Sequence, residues 1–241
     1  MLAILKSLWL ICLVVTLTLG CCFIILLLRI YAWLRGVPPY QDLGHEIGVF
    51  WGRVIFACTP GWSLDIYGQE NIPTTKGAFV IASNHESAVD IFSIFALGLQ
   101  FRWLGKESMF RVPAIGAAMQ HNGYIPIRRG DKESHKRALA QCDAYLRAGT
   151  PILFFPEGTR STTGHIGPFK IGAFKLAKEN TVPILPVVLK GAGKLLKKKS
   201  WLPQSALLQI HILPPMLSSE SESIDQFMER VRIEMVAVHE S

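Results

Sequence analysis

The chain opens on an apolar run. Positions 8–28 carry no charge, with Lys6 before them and Arg29 and Arg35 after. At 1.5 Å per helical residue, such a run matches the roughly 30 Å hydrocarbon core of a bilayer. A cleaved signal peptide has an apolar region of about 7–15 residues closed by small residues. Here the run continues through CCFIILLL, so an uncleaved anchor over 1–35 is expected. A second apolar stretch at 44–62 is interrupted by His45, Glu46 and Arg53 and carries Trp51 and Trp62. It fits either an amphipathic, membrane-lying or membrane-embedded helix or an ordinary core helix. The V-P-P-Y break at 37–40 separates the two, predicting an N-terminal membrane-associated helical hairpin with its second helix inside 36–62.

Past position 62 the pattern becomes short β-rich runs alternating with helical periodicity. The strand-like runs begin at Ser63, Gly77, Phe101, Gly123, Pro151, Pro183 and Leu207. Helical patterns fall at 89–99, 113–120 and 131–147, and Leu139, Cys142 and Leu146 share one face of the last. This predicts an α/β fold, with a central mainly mixed or parallel sheet flanked by helices, over 63–218. A capped amphipathic C-terminal helix at 219–241 follows.

Composition sharpens the picture. Half of the 241 residues are hydrophobic and 18% are charged, below the roughly 25% of ordinary soluble domains. The net charge of +7 suits anionic lipid headgroups, phosphates or coenzyme A. Nucleic acid, which a basic surface also suits, is the weakest of these partners and is not expected, because no recognised nucleic-acid motif or aromatic–basic interleaving is present. The five cysteines are odd in number and lack metal-ligand spacing, so a reducing, cytosol-facing domain without disulfides or metal is expected. Arg29 and Arg35 against Lys6 favour the same side for the residues after the anchor.

The chemistry sits where strand gives way to helix. His85 and Asp90 are five apart, an offset that turns the second side chain about 140° from the first on a helix. They can meet only with His85 in the turn before the helix and Asp90 inside its start. An imidazole can then take a proton from an alcohol near neutral pH, while a carboxylate on its other nitrogen fixes the tautomer. The plainer alternative is a strand-end histidine that caps the next helix. Ser87 raises a serine-hydrolase reading, but the G-x-S-x-G elbow is missing. In F-F-P-E-G-T-R-S, Glu157, Gly158, Thr159 and Arg160 directly follow an apolar strand. Gly158 permits a tight path and Arg160 offers a planar fork for phosphate oxygens. Lys106 follows a strand and Arg129 ends one, so with Arg111 and Arg128 they make a candidate anionic pocket. The basic tract at 190–199, followed by Trp201, is read as a contact for anionic headgroups.

Together these stretches resemble the 1-acyl-glycerol-3-phosphate acyltransferase family, the bacterial-type lysophosphatidate acyltransferases. The N-H-x4-D motif is matched by Asn84, His85 and Asp90. A second motif is matched by Lys106, Glu107, Pro113, Gly116, Gly123, Ile125, Ile127 and Arg129. F-P-E-G-T-R-S is complete from Phe155 to Ser161, and V-P-I-x-P-V stands at 182–187. Two departures, Ser108 and Arg128, bear on which headgroup is accepted.

The resemblance implies that His85 is general base toward the sn-2 hydroxyl of lysophosphatidate, oriented by Asp90, giving phosphatidic acid for phospholipid biosynthesis. Lys106, Arg129 and Arg160 would hold the phosphate, with Glu157, Gly158 and Thr159 forming the loop. The donor would be acyl-CoA or acylated acyl carrier protein as co-substrate, with no cofactor and no metal. The expected site is the inner, cytoplasmic membrane, with the catalytic domain facing the cytoplasm. Two alternatives remain: an acyltransferase for another lysolipid such as a lyso-ornithine lipid, and a non-catalytic membrane lipid-binding protein.

Overall fold

The computed structural model describes residues 2–74, 77–196 and 202–241, with side chains from position 4 onward. Lys197, Lys198, Lys199 and Trp201 of the basic tract lie outside the described residues. The chain forms two compact units, Met1–Pro60 with Ile91–Ala138, and Gly61–Asp90 with Leu139–Ser241.

In the first unit, α1 (Leu2–Arg35) is followed by α2 (Gln41–Cys58). Within Ile4–Arg35, the most apolar 18-residue window of α1 has a mean hydropathy of 3.0, and only 22% of that window is buried. A core helix hides its apolar surface; this one presents Leu8, Val15, Leu19, Phe23 and Leu27 outward, as a lipid-facing helix does. Trp9 donates to the carbonyl of Cys58 at 2.8 Å, and Trp51 donates to Thr18 Oγ1 at 2.9 Å. Pairing 9 with 58 and 18 with 51 makes α1 and α2 an antiparallel hairpin, as the V-P-P-Y break predicts.

The second helix begins and ends earlier than the apolar stretch at 44–62, because Trp62 already belongs to a strand. The polar residues that interrupt α2 are partly internal. His45 is fully buried, with Nε2 2.8 Å from the carbonyl of Leu99 and Nδ1 3.0 Å from the Tyr124 hydroxyl. Nε2 must donate to a carbonyl, so Nδ1 accepts from the tyrosine, and burial lowers the imidazole to about 4. These contacts are those of a helix packed on its own unit.

The same unit holds the parallel pair β3 (Arg102–Lys106) and β4 (Ile125–Ile127), with α4 (Ile115–His121) between them in sequence. Gly116 explains the P-x-x-G pattern. A Cβ there would lie 2.0 Å from the backbone oxygen of Phe110, which has no flexible end to give way. Gly116→Ala is therefore expected to lower stability by about 1–3 kcal/mol, the cost of overpacking, read as a shift in the denaturant midpoint. A midpoint equal to wild type would contradict this packing.

Among the described residues, the second unit contains five strands in the order β1 (Trp62–Tyr67), β7 (Ala206–Ile212), β6 (Ile184–Lys190), β2 (Val80–Ser83) and β5 (Ile152–Phe154). All neighbours are parallel except β6 and β7. β2 is buried throughout and β6 nearly so, which accounts for the apolar runs at 80–82 and 184–189, whereas β1 and β7 alternate. Also in this unit are α6 (Gly172–Glu179), the short α7 (Ala192–Leu195) and α8 (Ile224–Glu240). α8 opens on a capping box made by Ser223 and Gln226. Along the chain, α3 (Val89–Ala96) and α5 (Lys132–Arg147) each run from one unit into the other.

Candidate active site

The site is built at the carboxyl end of β2. Just past this strand, the Asn84 side chain imitates a peptide group. Its Nδ2 donates to the Leu189 carbonyl at 2.9 Å, and its Oδ1 accepts the Leu189 amide at 2.8 Å. An asparagine offers that donor and acceptor pair in one plane, so the ladder to β6 continues one step beyond the strand.

His85 comes next, and its backbone is held on both sides. Its amide donates to Glu157 Oε1 at 3.0 Å, and its carbonyl accepts the Ser161 amide at 2.7 Å. Its ring stacks on Phe155, with centroids 4.2 Å apart and planes 24° from parallel. The imidazole Nδ1 lies 2.6 Å from Asp90 Oδ2. The five-residue offset thus works as expected, with His85 in the turn and Asp90 the second residue of α3.

Asp90 is fully buried, and its Oδ2 also accepts the amides of Glu86 at 2.7 Å and Ser87 at 2.9 Å. Its Oδ1 is buried without a hydrogen-bond partner among the described residues. Burial pushes the carboxyl pKa up, opposed by His85 and by the two amides. Oδ2 can only accept from the amides, and the imidazole completes the set, so Nδ1 carries the proton. That leaves the lone pair of His85 on Nε2, which has no hydrogen-bond partner among the described residues. The side chain keeps 16% exposure.

Two simpler readings give way to this geometry. His85 is not the cap of α3: the Ser87 hydroxyl accepts the Val89 amide at 3.3 Å. Nor is Ser87 a free nucleophile, since the same hydroxyl donates to the Leu196 carbonyl at 2.7 Å.

Glu157 lies on the loop after β5. Its second oxygen accepts the Gly167 amide at 3.1 Å, so each carboxylate oxygen binds one backbone N–H. Desolvation raises its pKa, partly offset by those amides. Gly158 adopts a left-handed φ of 70°, and a Cβ there would come within 2.6 Å of Lys170 Nζ. Thr159 is exposed and Arg160 half-buried in the same turn.

Lys106 and Arg129 belong to the other unit. β3 and β4 run parallel with Lys106 opposite Ile127, the last residue of each strand; Arg129 does not end β4 as expected but follows two residues later in a turn, and both cations are exposed. Arg128 is not the extra available cation that its position after Ile127 implies. Its Nε and Nη2 bind the Glu107 carboxylate at 2.7 and 3.0 Å, and Arg111 lies 3.3 Å from the same group. The Arg128 guanidinium holds the Glu107 carboxyl below the usual range.

The sequence reading missed the part played by Phe155 and by the Ser161 amide. The partners are 70 or more positions from His85, and nothing in local spacing announces a contact made through a loop.

A family model described as Acyltransferase matches residues 63–190. A chloroplastic 1-acyl-sn-glycerol-3-phosphate acyltransferase of Brassica napus is 38% identical over 152 residues, which cover 63% of this chain and 44% of that protein. The 1-acyl-sn-glycerol-3-phosphate acyltransferase of Saccharomyces cerevisiae is 32% identical over 185 residues, covering 73% and 59%. The chain spans about half the length of the curated relatives it matches. In fold it is similar to the 1-acyl-sn-glycerophosphate (LPA) acyltransferase of Thermotoga maritima, with a TM-score of 0.77 at 20% identity, over 99% of this chain and 96% of that one.

Proposed function

Because the chain belongs to the acyltransferase family, we propose that it transfers an acyl group from a thioester to the sn-2 hydroxyl of 1-acyl-glycerol-3-phosphate, giving phosphatidic acid. The observation that carries this reading is the His85 imidazole, with Nδ1 2.6 Å from Asp90 Oδ2 and Nε2 without a hydrogen-bond partner among the described residues. Nε2 takes the proton of the hydroxyl as its oxygen attacks the thioester carbon. The C–O bond forms, the C–S bond breaks, and the departing thiolate receives the proton. Asp90 stabilises the imidazolium formed in between. Thiolate is a good leaving group, so positioning and base catalysis suffice without a covalent enzyme intermediate.

Arg160 is proposed to hold the phosphate on the loop shaped by Glu157, Gly158 and Thr159, and Lys106 and Arg129, in their own unit, are proposed as further substrate-binding cations. The acceptor is a membrane lipid, which fits a chain carrying the apolar helix α1. Arg29 and Arg35 at the end of that helix favour a cytoplasmic catalytic face. The tract at 190–199 with Trp201 is proposed to meet anionic headgroups.

The test is the purified full chain given a panel of lysolipids, lyso-ornithine lipid included, with labelled acyl-CoA or acylated acyl carrier protein. Lysophosphatidate is expected to have the highest kcat/KM. Preference for another acceptor would replace the substrate assignment. No acylation of any acceptor from either donor would favour the lipid-binding alternative.

A further inference from the structure

The residue after the proposed base is tied to the far end of the unit's last helix. Glu86 Oε1 lies 2.9 Å from His239 Nε2, and Glu86 Oε2 accepts the Gly193 amide at 3.2 Å. The two side chains are only 11% and 12% exposed, so this is not a solvated surface pair.

The placement of His239 follows from its helix. The buried residues of α8 are Phe227, Val231 and Met235, spaced by four. The next step along that stripe is His239, on the same face. A helix held only by packing would continue with an apolar side chain, but here the stripe ends on an imidazole aimed at a carboxylate. The anchoring is firm, because Phe227 meets Phe174 of α6 edge to face at 6.0 Å.

Two further contacts join the same turn of α8 to neighbouring segments of the site. Lys190, next to the Leu189 that grips Asn84, donates to the Val238 carbonyl at 3.1 Å. His165, whose carbonyl accepts the Ser161 hydroxyl at 2.9 Å, lies 3.7 Å from Glu240.

We infer that His239 is a positioning residue for acyl transfer: through Glu86 it fixes the turn that aims His85 and delivers two amides to Asp90. The Glu86 amide is one of those donors, so a shift of the Glu86 side chain moves the carboxylate's hydrogen bonds along with the imidazole. His239 touches neither substrate nor the reacting atoms. Its effect should therefore fall on the chemical step and leave acceptor binding alone. This inference rests on the proposed function, and its test separates the two.

Kinetics of the full chain in lipid nanodiscs, with 1-acyl-glycerol-3-phosphate and acyl-CoA, should show kcat of His239→Ala lowered by roughly 10- to 100-fold, since a misplacement of about 1 Å costs on the order of 10²-fold. KM should stay within about threefold of wild type. His239→Gln, which retains a donor, should recover most of the loss. Glu86→Ala should lower kcat similarly, and the double variant should fall little further, because both act through one contact. Wild-type kcat in His239→Ala, a loss carried by KM, no rescue by glutamine, or additive losses would each overturn the inference.

Amide hydrogen exchange at Glu86 and Ser87 gives a readout independent of turnover. Faster exchange in His239→Ala supports the inference even if the wild-type protein does not acylate lysophosphatidate, an outcome that would sink the proposed function alone. Unchanged exchange overturns the inference in either case.

Discussion

Replacing His85 with alanine should lower kcat for acyl transfer by about 10²- to 10⁴-fold, the range contributed by general-base catalysis. The fold should survive, because the backbone bonds to Glu157 and Ser161 do not involve the ring. Asp90→Asn is the more discriminating change. The Asn oxygen can take the place of Oδ2, receiving the amides of Glu86 and Ser87 and the imidazole N–H. Its NH2 then falls at the position of Oδ1, which has no hydrogen-bond partner among the described residues. Geometry is kept and charge is lost, so the imidazolium formed during proton transfer loses its counter-charge. A fall in kcat of about 10²-fold or more is expected.

Stability should move the other way. The folded pKa of Asp90 is raised by burial. Its contribution is therefore present below the unfolded value, near 3.8, and lost as pH rises through the folded value. At neutral pH the ionised group is a cost, and asparagine removes it. The thermal midpoint of Asp90→Asn should equal or exceed that of wild type. A lowered midpoint with kcat intact would show Asp90 to be a structural residue and remove the basis for His85 as base.

The sequence disclosed those parts of the fold that local chemistry dictates. The long charge-free run became α1, and the alternation of β-rich runs with helical periodicity became the strands and helices of both units. The His85–Asp90 pair was legible because its five-residue offset permits contact in one geometry, a turn entering a helix. Three things were not legible. The polar residues of α2 read as interruptions, since only the folded unit supplies Leu99 and Tyr124 as partners for His45. Arg128 read as an added cation, because Glu107 is 21 positions away and comes alongside only when β3 and β4 pair. The grip of the third motif on the first joins the backbone of His85 to the Glu157 carboxylate and the Ser161 amide, and nothing in local spacing shows that a loop more than 70 positions away comes alongside.

That grip has its own expected result. Replacing Glu157 with glutamine should lower kcat almost as far as replacing it with alanine, by about 10²-fold in each case. The reason lies in donor arithmetic. Both carboxylate oxygens accept backbone N–H groups, Oε1 from His85 and Oε2 from Gly167. An amide side chain has one acceptor oxygen, so glutamine must turn an NH2 donor toward one of two N–H donors. Either orientation releases one side of the clamp. If it releases His85, the imidazole loses its placement against Asp90. If it releases Gly167, the loop that carries Gly158 and Arg160 loses the tie closing it. A phosphate-binding role for Glu157 would predict the reverse: removing its negative charge would relieve repulsion and strengthen lysophosphatidate binding. Comparing kcat and KM for Glu157→Gln and Glu157→Ala decides between them. A glutamine variant with wild-type kcat and a lowered KM would refute the clamp.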